Sequence, residues 1–98
     1  MKLEYKRDKI YDGFKVIANI KNSYLREGSG SKTIANIKDG KIRKDNGSLT
    51  LCNVKNNDIR KGTGSSRMVR VRDVRKQIKN SDSLSDEFIA AIWYMYIL

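Results

Sequence analysis

Apolar and polar positions alternate along most of this chain, and the alternation returns in register every seventeen residues. The segment FKVIANIKNSYLREGSG (14–30) is followed without a gap by SKTIANIKDGKIRKDNG and then by SLTLCNVKNNDIRKGTG, ending at Gly64. Superposing the three places Ile17, Ile34 and Leu51 in one column and Asn19, Asn36 and Asn53 in another, with Ile20, Ile37 and Val54 in a third. Lys21, Lys38 and Lys55 form a fourth column. The register continues past Gly64, where Met68, Val69, Arg70, Val71 and Arg72 fall under Leu51 to Lys55. Upstream, KIYDGFKVIANI reads as the same unit with two turn residues removed, so the periodicity predicts about four copies.

Within a copy, the β-branched word TIANIK predicts a strand that runs into a two-residue turn at Asp39-Gly40, where positive φ is tolerated. Asn22-Ser23 and Asn56-Asn57 occupy the same place. A second short strand follows, with Leu25, Ile42 and Ile59 in register, and a glycine-bearing turn (GSGS, DNGS or GTGS) reverses the chain again. Strict alternation puts Ile17 with Asn19 on one face and Ala18 with Ile20 on the other. One hairpin cannot bury its own apolar side, so the expected solution is closure of the strands around an axis. The fold class is therefore mainly β with a C-terminal α-helix, as a closed up-and-down meander of about four 17-residue hairpin repeats and about eight strands. Small Ala18, Ala35 and Cys52 suit its crowded centre, which makes Cys52 a buried apolar residue before a reactive thiol.

The pattern changes after Arg72. Residues 1–74 form the hairpin domain, 75–84 a polar connector with at most a helical turn, and 85–98 an apolar helix. Ser85 is a good N-cap, Asp86 and Glu87 suit the positive end of the helix dipole, and Leu84 with Ile89 can form a hydrophobic staple. Phe88, Ile89, Ile92, Trp93 and Tyr96 make the helix apolar almost all round, so it either plugs its own domain or packs against another chain in a homo-oligomer. A membrane-surface anchor is the least supported option, since the helix lacks a Lys and Arg face.

Charge adds the functional clue. The chain has 21 Lys and Arg against 11 Asp and Glu, a net charge of +10. Residues 81–98 hold three of those acids (Asp82, Asp86, Glu87) and no base, which leaves +13 on the first eighty residues, a field that draws in phosphates. With no His and one Cys, the chain holds neither a disulfide framework nor the usual zinc set, and no triad or paired acid/base site appears. No enzyme activity, metal or cofactor is expected, and the setting is a reducing one, the cytoplasm of a bacterial host. No leader pattern opens the chain, and the apolar run 88–98 is far shorter than the roughly 20 residues of a bilayer span, so no membrane partner is expected.

Arg26, Arg43 and Arg60 recur at one position beside the glycine turns, followed in two copies by Lys44 and Lys61. Arginine forks next to exposed turn N–H groups can grip phosphate oxygens. Arg70, in the Asn column of the fourth copy, joins this set, together with Asn19, Asn36 and Asn53 if their amides reach a ligand instead of backbone. Two kinds of partner fit. One is a small phosphorylated ligand such as a nucleotide or cyclic nucleotide, held where the repeated side chains converge. The other is nucleic acid, bound without sequence preference, with the segment RMVRVRDVRK (67–76) following a phosphate backbone. A purely structural oligomer needs neither.

The repeated words, together with the LSDEFIAAIWY tail, resemble the small bacterial and phage four-fold or five-fold β-flower proteins over about residues 9–98. The chain departs from that pattern in a shortened first turn, in Arg70 in place of Asn, and in Lys76 where Ile42 and Ile59 have their column. The resemblance implies a closed β arrangement with a terminal helix and supplies no catalytic residue. By analogy with other small phage proteins, it suggests a sponge that sequesters a defence signal.

Overall fold

Each repeated word folds as a hairpin, because the turn residues accept the left-handed backbone that tight reversals need. In the computed structural model, which describes residues 2–98, the strands are β1 (Leu3–Lys6), β2 (Lys9–Asp12), β3 (Lys15–Lys21), β4 (Tyr24–Glu27), β5 (Thr33–Lys38), β6 (Lys41–Lys44), β7 (Thr50–Lys55), β8 (Asp58–Lys61) and β9 (Arg67–Arg70). Asp39 and Gly40 have φ of 52° and 76°, and Asn56 and Asn57 of 53° and 69°. A Cβ on Gly40 would stand 3.2 Å from the Val54 carbonyl oxygen, so this turn needs glycine for space as well as for φ. The registers Asn19↔Arg26, Asn36↔Arg43 and Asn53↔Arg60 repeat in three successive hairpins. Neighbouring hairpins are joined by equivalent bonds: the N–H groups of Ile20, Ile37, Val54 and Val71 donate to carbonyls of Asp8, Ser23, Gly40 and Asn57 in the preceding turn.

With a further strand, β10 (Ile78–Lys79), these strands form one sheet in the order β10-β1-β2-β3-β4-β5-β6-β7-β8-β9, and it does not close. The expected closed meander of about eight strands is thus an open sheet of ten. The reason lies after Arg70, where the apolar spacing switches from two to three: Val71 and Val74 are both fully buried on the short helix α1 (Val71–Arg75). α1 replaces the second strand of this last unit and carries the chain from the β9 edge to the opposite edge. There β10 (Ile78–Lys79) pairs in parallel with β1, Leu3 opposite Ile78. Residues 75–84 are therefore more than a polar connector, since Ile78 is a core residue and β10 belongs to the sheet. β1 itself was hidden in the sequence because its turn, Arg7-Asp8, takes φ of 51° and 64° without a glycine.

A bulge recurs in every unit and corrects the simple alternation. The pairing shifts register so that Ile17, Ile34, Leu51 and Met68 are each the extra residue on their strand. Ile17 and Ile34 consequently pack against the core with Ala18 and Ala35 instead of sharing a face with Asn19 and Asn36.

The core lies between one face of the sheet and α2 (Asp86–Ile92), which continues as a π-helical segment, Trp93–Ile97. Leu25, Ile42, Ile59, Ala18, Ala35 and Cys52 from the sheet meet Ile89, Ala90, Ala91 and Ile92 from the helix, all fully buried. Ser85 caps α2 by accepting from the Phe88 N–H at 3.2 Å, and Leu84 and Ile89 enter the same core. Of the residues expected on the apolar helix, Ile89, Ile92 and Trp93 are buried by their own chain, and Phe88 and Tyr96 are half-buried. The Tyr96 hydroxyl donates to the Ile17 carbonyl at 3.0 Å, and burial, then the Glu27 charge, raises its pKa above the ordinary phenol value. The helix thus plugs its own domain.

Cys52 occupies the position of Ala18 and Ala35, and burial pushes its thiol up to about 12 from an ordinary 9.0. A group raised in the folded state favours folding below its unfolded pKa and loses that contribution as pH climbs towards the folded value. Urea unfolding between pH 8 and 11 should therefore show stability falling above about pH 9. In Cys52→Ala this part of the fall should be absent; an identical pH profile in the variant would show that the thiol contributes nothing.

Candidate anion-binding surface

Alternation sends every second strand residue to the side of the sheet away from α2, and on that side the bases collect. Pairing fixes which they are. Lys21 lies opposite Tyr24, Lys38 opposite Lys41, Lys41 opposite Asn53, and Lys55 opposite Asp58. Arg26 and Arg43 pair with Thr33 and Thr50, whereas Arg60 meets Arg67, and Arg70 meets Asp58. Asp58 is the single acid on these outward positions from β3 to β9. It stands 3.7 Å from an Arg67 guanidinium nitrogen, a half-exposed pair that leaves the face strongly positive.

The expected asparagine ligands have another task. Asn36 Nδ2 donates to the carbonyls of Asp45 (2.8 Å) and Gly47 (3.1 Å), clamping the turn that follows its hairpin. Asn19 does the same for Gly28 and Gly30, and Asn53 for Gly62 and Gly64. The anion nest expected in these turns is also engaged within the fold. Gly28 N–H donates to the Ile17 carbonyl and Gly30 N–H to that of Glu27, and the next two copies repeat both bonds. Turn closure takes these donors because an unpaired backbone group is costly.

The arginines are held by one end. Arg26 Nε donates to Asn19 Oδ1 at 2.8 Å and Arg43 Nε to the Gly47 carbonyl at 3.2 Å. Arg60 Nε is enclosed without a partner among the described residues, which fits its crowding against Arg67, where the earlier copies have Thr. Tethering at Nε fixes the Arg26 and Arg43 guanidinium groups against the sheet and leaves their outer nitrogens for an acceptor.

The predicted residues are only partly brought together. Arg26, Arg43 and Arg60 stand on β4, β6 and β8, two strands apart, or about 10 Å at the usual strand spacing, and they do not converge. Lys44 and Lys61 pair with Ala35 and Cys52, so they lie on the opposite side of the sheet from Arg43 and Arg60. Arg70 does join the basic face. Missing from the expected set are Lys21, Lys38, Lys41 and Lys55. The lysine column was visible in the repeat, and the two-residue turn places Lys41 opposite Lys38, so hairpin register was the signal that would have found them.

No protein-family model, curated protein or solved structure matches the chain. Its functional reading therefore comes from these residues alone. Among the described residues no group of three or more His, Cys, Asp or Glu could hold a metal ion, and no helix is long and apolar enough to cross a membrane.

Proposed function

We propose that the protein is a non-catalytic binding module for phosphate-bearing anions, and that its outward sheet face takes an extended one, a nucleic acid strand, by charge and not by base sequence. The observation that carries this is the run of Lys and Arg on the outward positions of β3 to β9 against one acid, Asp58. Arginines about 10 Å apart do not share one phosphate, whereas a chain of phosphates meets several at once. Sequestration of a small nucleotide by converging arginines loses its geometric basis on this face. Tyr24, 42% exposed between Lys21 and Asn36, is the one aromatic in the middle of the band and offers a stacking surface to a single strand. In this reading the face is made by copies of one hairpin unit, four in all, beginning at β3, β5, β7 and β9, with α1 in place of the second strand of the last.

Fluorescence anisotropy with labelled single-stranded and duplex DNA of mixed sequence tests this reading. Affinity should fall linearly on a log–log plot against salt, by about 0.7 per phosphate contact for single strands and about 0.9 for duplex, with several contacts engaged. Scrambling the sequence should change little. Absence of binding at 50 mM salt, or a slope near zero, would remove the proposal.

A further inference from the structure

A second basic region lies away from the sheet face, and it is concave. A cavity of about 380 Å³ opens where the end of α1 meets β10, lined by Lys2, Arg75, Lys76, Gln77, Lys79 and Ser81 among others. Its lysines come from separate parts of the chain and meet because β10 pairs in parallel with β1. Leu3 N–H donates to the Gln77 carbonyl and Glu4 sits opposite Lys79, which brings Lys2 beside β10. Lys76 follows α1 directly, as its C-cap residue.

The charges in this corner are unevenly balanced. Arg75 is already engaged, donating to the carbonyls of Ser81 and Leu84 and to Asp86 at 2.8 Å, so it acts as a strut. Lys76 has only a loose, exposed contact with Asp73 at 3.9 Å. Neither Lys2 nor Lys79 forms an ion pair among the described residues; Asp82 is the one acid in the lining, and Glu4, opposite Lys79 at its edge, accepts from the lining Asn80 at 3.1 Å. A concave site with an excess of one sign concentrates counter-ions. The cavity between the π-helical segment and the sheet, by contrast, is lined by Lys15 and Glu27 together with Ile17, Ile34, Met95 and Tyr96, and its charges offset each other.

We propose that the corner formed by Lys2, Lys76 and Lys79 is a binding site for a phosphate monoester. A monoester carries about −1.5 to −2 charges at pH 7 and three terminal oxygens, which suits several compact ammonium donors lining one concave site. A backbone diester offers one charge and two free oxygens. The volume lies at the low end of the roughly 300–1,000 Å³ of small-molecule sites, enough for a phosphate on a body of sugar or nucleoside size. This site is independent of the sheet face and stands if that reading fails.

Amide shifts of the full chain, titrated with AMP, with adenosine and with inorganic phosphate, test the proposal. AMP and phosphate should saturate with shifts confined to residues 2–4 and 76–82, and adenosine should leave them in place. Lys2→Gln/Lys79→Gln should weaken AMP binding by about tenfold or more, while Arg43→Gln/Arg60→Gln leaves it within about twofold. A preference for a 5′-phosphorylated over a 5′-hydroxyl oligonucleotide, lost in the Lys2/Lys79 variant, would mark the end of a strand as the source of the monoester. AMP binding without that preference would mark a free small molecule. Equal shifts from AMP and adenosine, or equal losses in both variant pairs, would overturn the assignment.

Discussion

Replacing Arg43, Arg60 and Arg67 together by Glu is expected to weaken nucleic acid binding by on the order of 100-fold at 0.1 M salt, and to reduce the duplex salt slope by roughly 2 to 3. All three side chains occupy outward strand positions, and none contributes an apolar contact to the core. They lose the Arg43 Nε bond to the Gly47 carbonyl and the half-exposed Arg67–Asp58 pair, each worth about 1 kcal/mol or less, so the fold should survive. The control is a charge-matched triple, Lys15→Glu, Lys44→Glu and Lys61→Glu. These lysines pair with Asp12, Ala35 and Cys52 on the helix side of the sheet, so the variant has the same net charge with the basic face intact. It should lose no more than about tenfold, through the general field alone. Equal losses in the two triples would mean that net charge, and not this surface, does the binding.

Much of the fold was legible because the repeat carries its own punctuation. Asp39-Gly40 and Asn56-Asn57 announce the tight turns, and the β-branched words between them announce the strands. Two features stayed hidden for physical reasons. The bulge at Ile17, Ile34, Leu51 and Met68 leaves no local signature, since an apolar residue fits either side of a strand until its partner strand is known. The open edge depends on five residues, VRDVR, whose short apolar spacing competes with a strand of the repeat and wins only because Val71 and Val74 both reach the core as a helix.

The candidate site was legible in its chemistry and not in its geometry. Recurrence put Arg26, Arg43 and Arg60 in one column, but recurrence alone does not say whether repeated side chains converge on an axis or spread over a face. Lys44 and Lys61 illustrate the difference: adjacent in sequence to Arg43 and Arg60, they sit across the sheet from them because strand neighbours alternate. The same geometry explains the asparagines. A side chain opposite an arginine near the end of a hairpin is within reach of the next turn, and two unpaired carbonyls there are a stronger demand than an absent ligand.

That demand predicts a large stability effect. Asn36→Asp is expected to cost about 3 kcal/mol, because it keeps the shape of the side chain while replacing two N–H donors with oxygens that accept. The carbonyls of Asp45 and Gly47 lose their partner, and a carboxylate 9% exposed is set against them. For a domain whose total stability is typically about 5–15 kcal/mol, this is a substantial fraction. Burial and the facing carbonyls oppose the new carboxylate, whereas Arg43, paired across the hairpin, favours it, so the cost is read at pH 7, where the carboxylate and the lost donors are compared directly. Asn53→Asp should cost less, since Asn53 is half-buried and water can reach its clamp on Gly64. Urea unfolding of both variants at pH 7 decides the matter. A cost below about 1 kcal/mol for Asn36→Asp would show that the turn clamp is not what this asparagine is for.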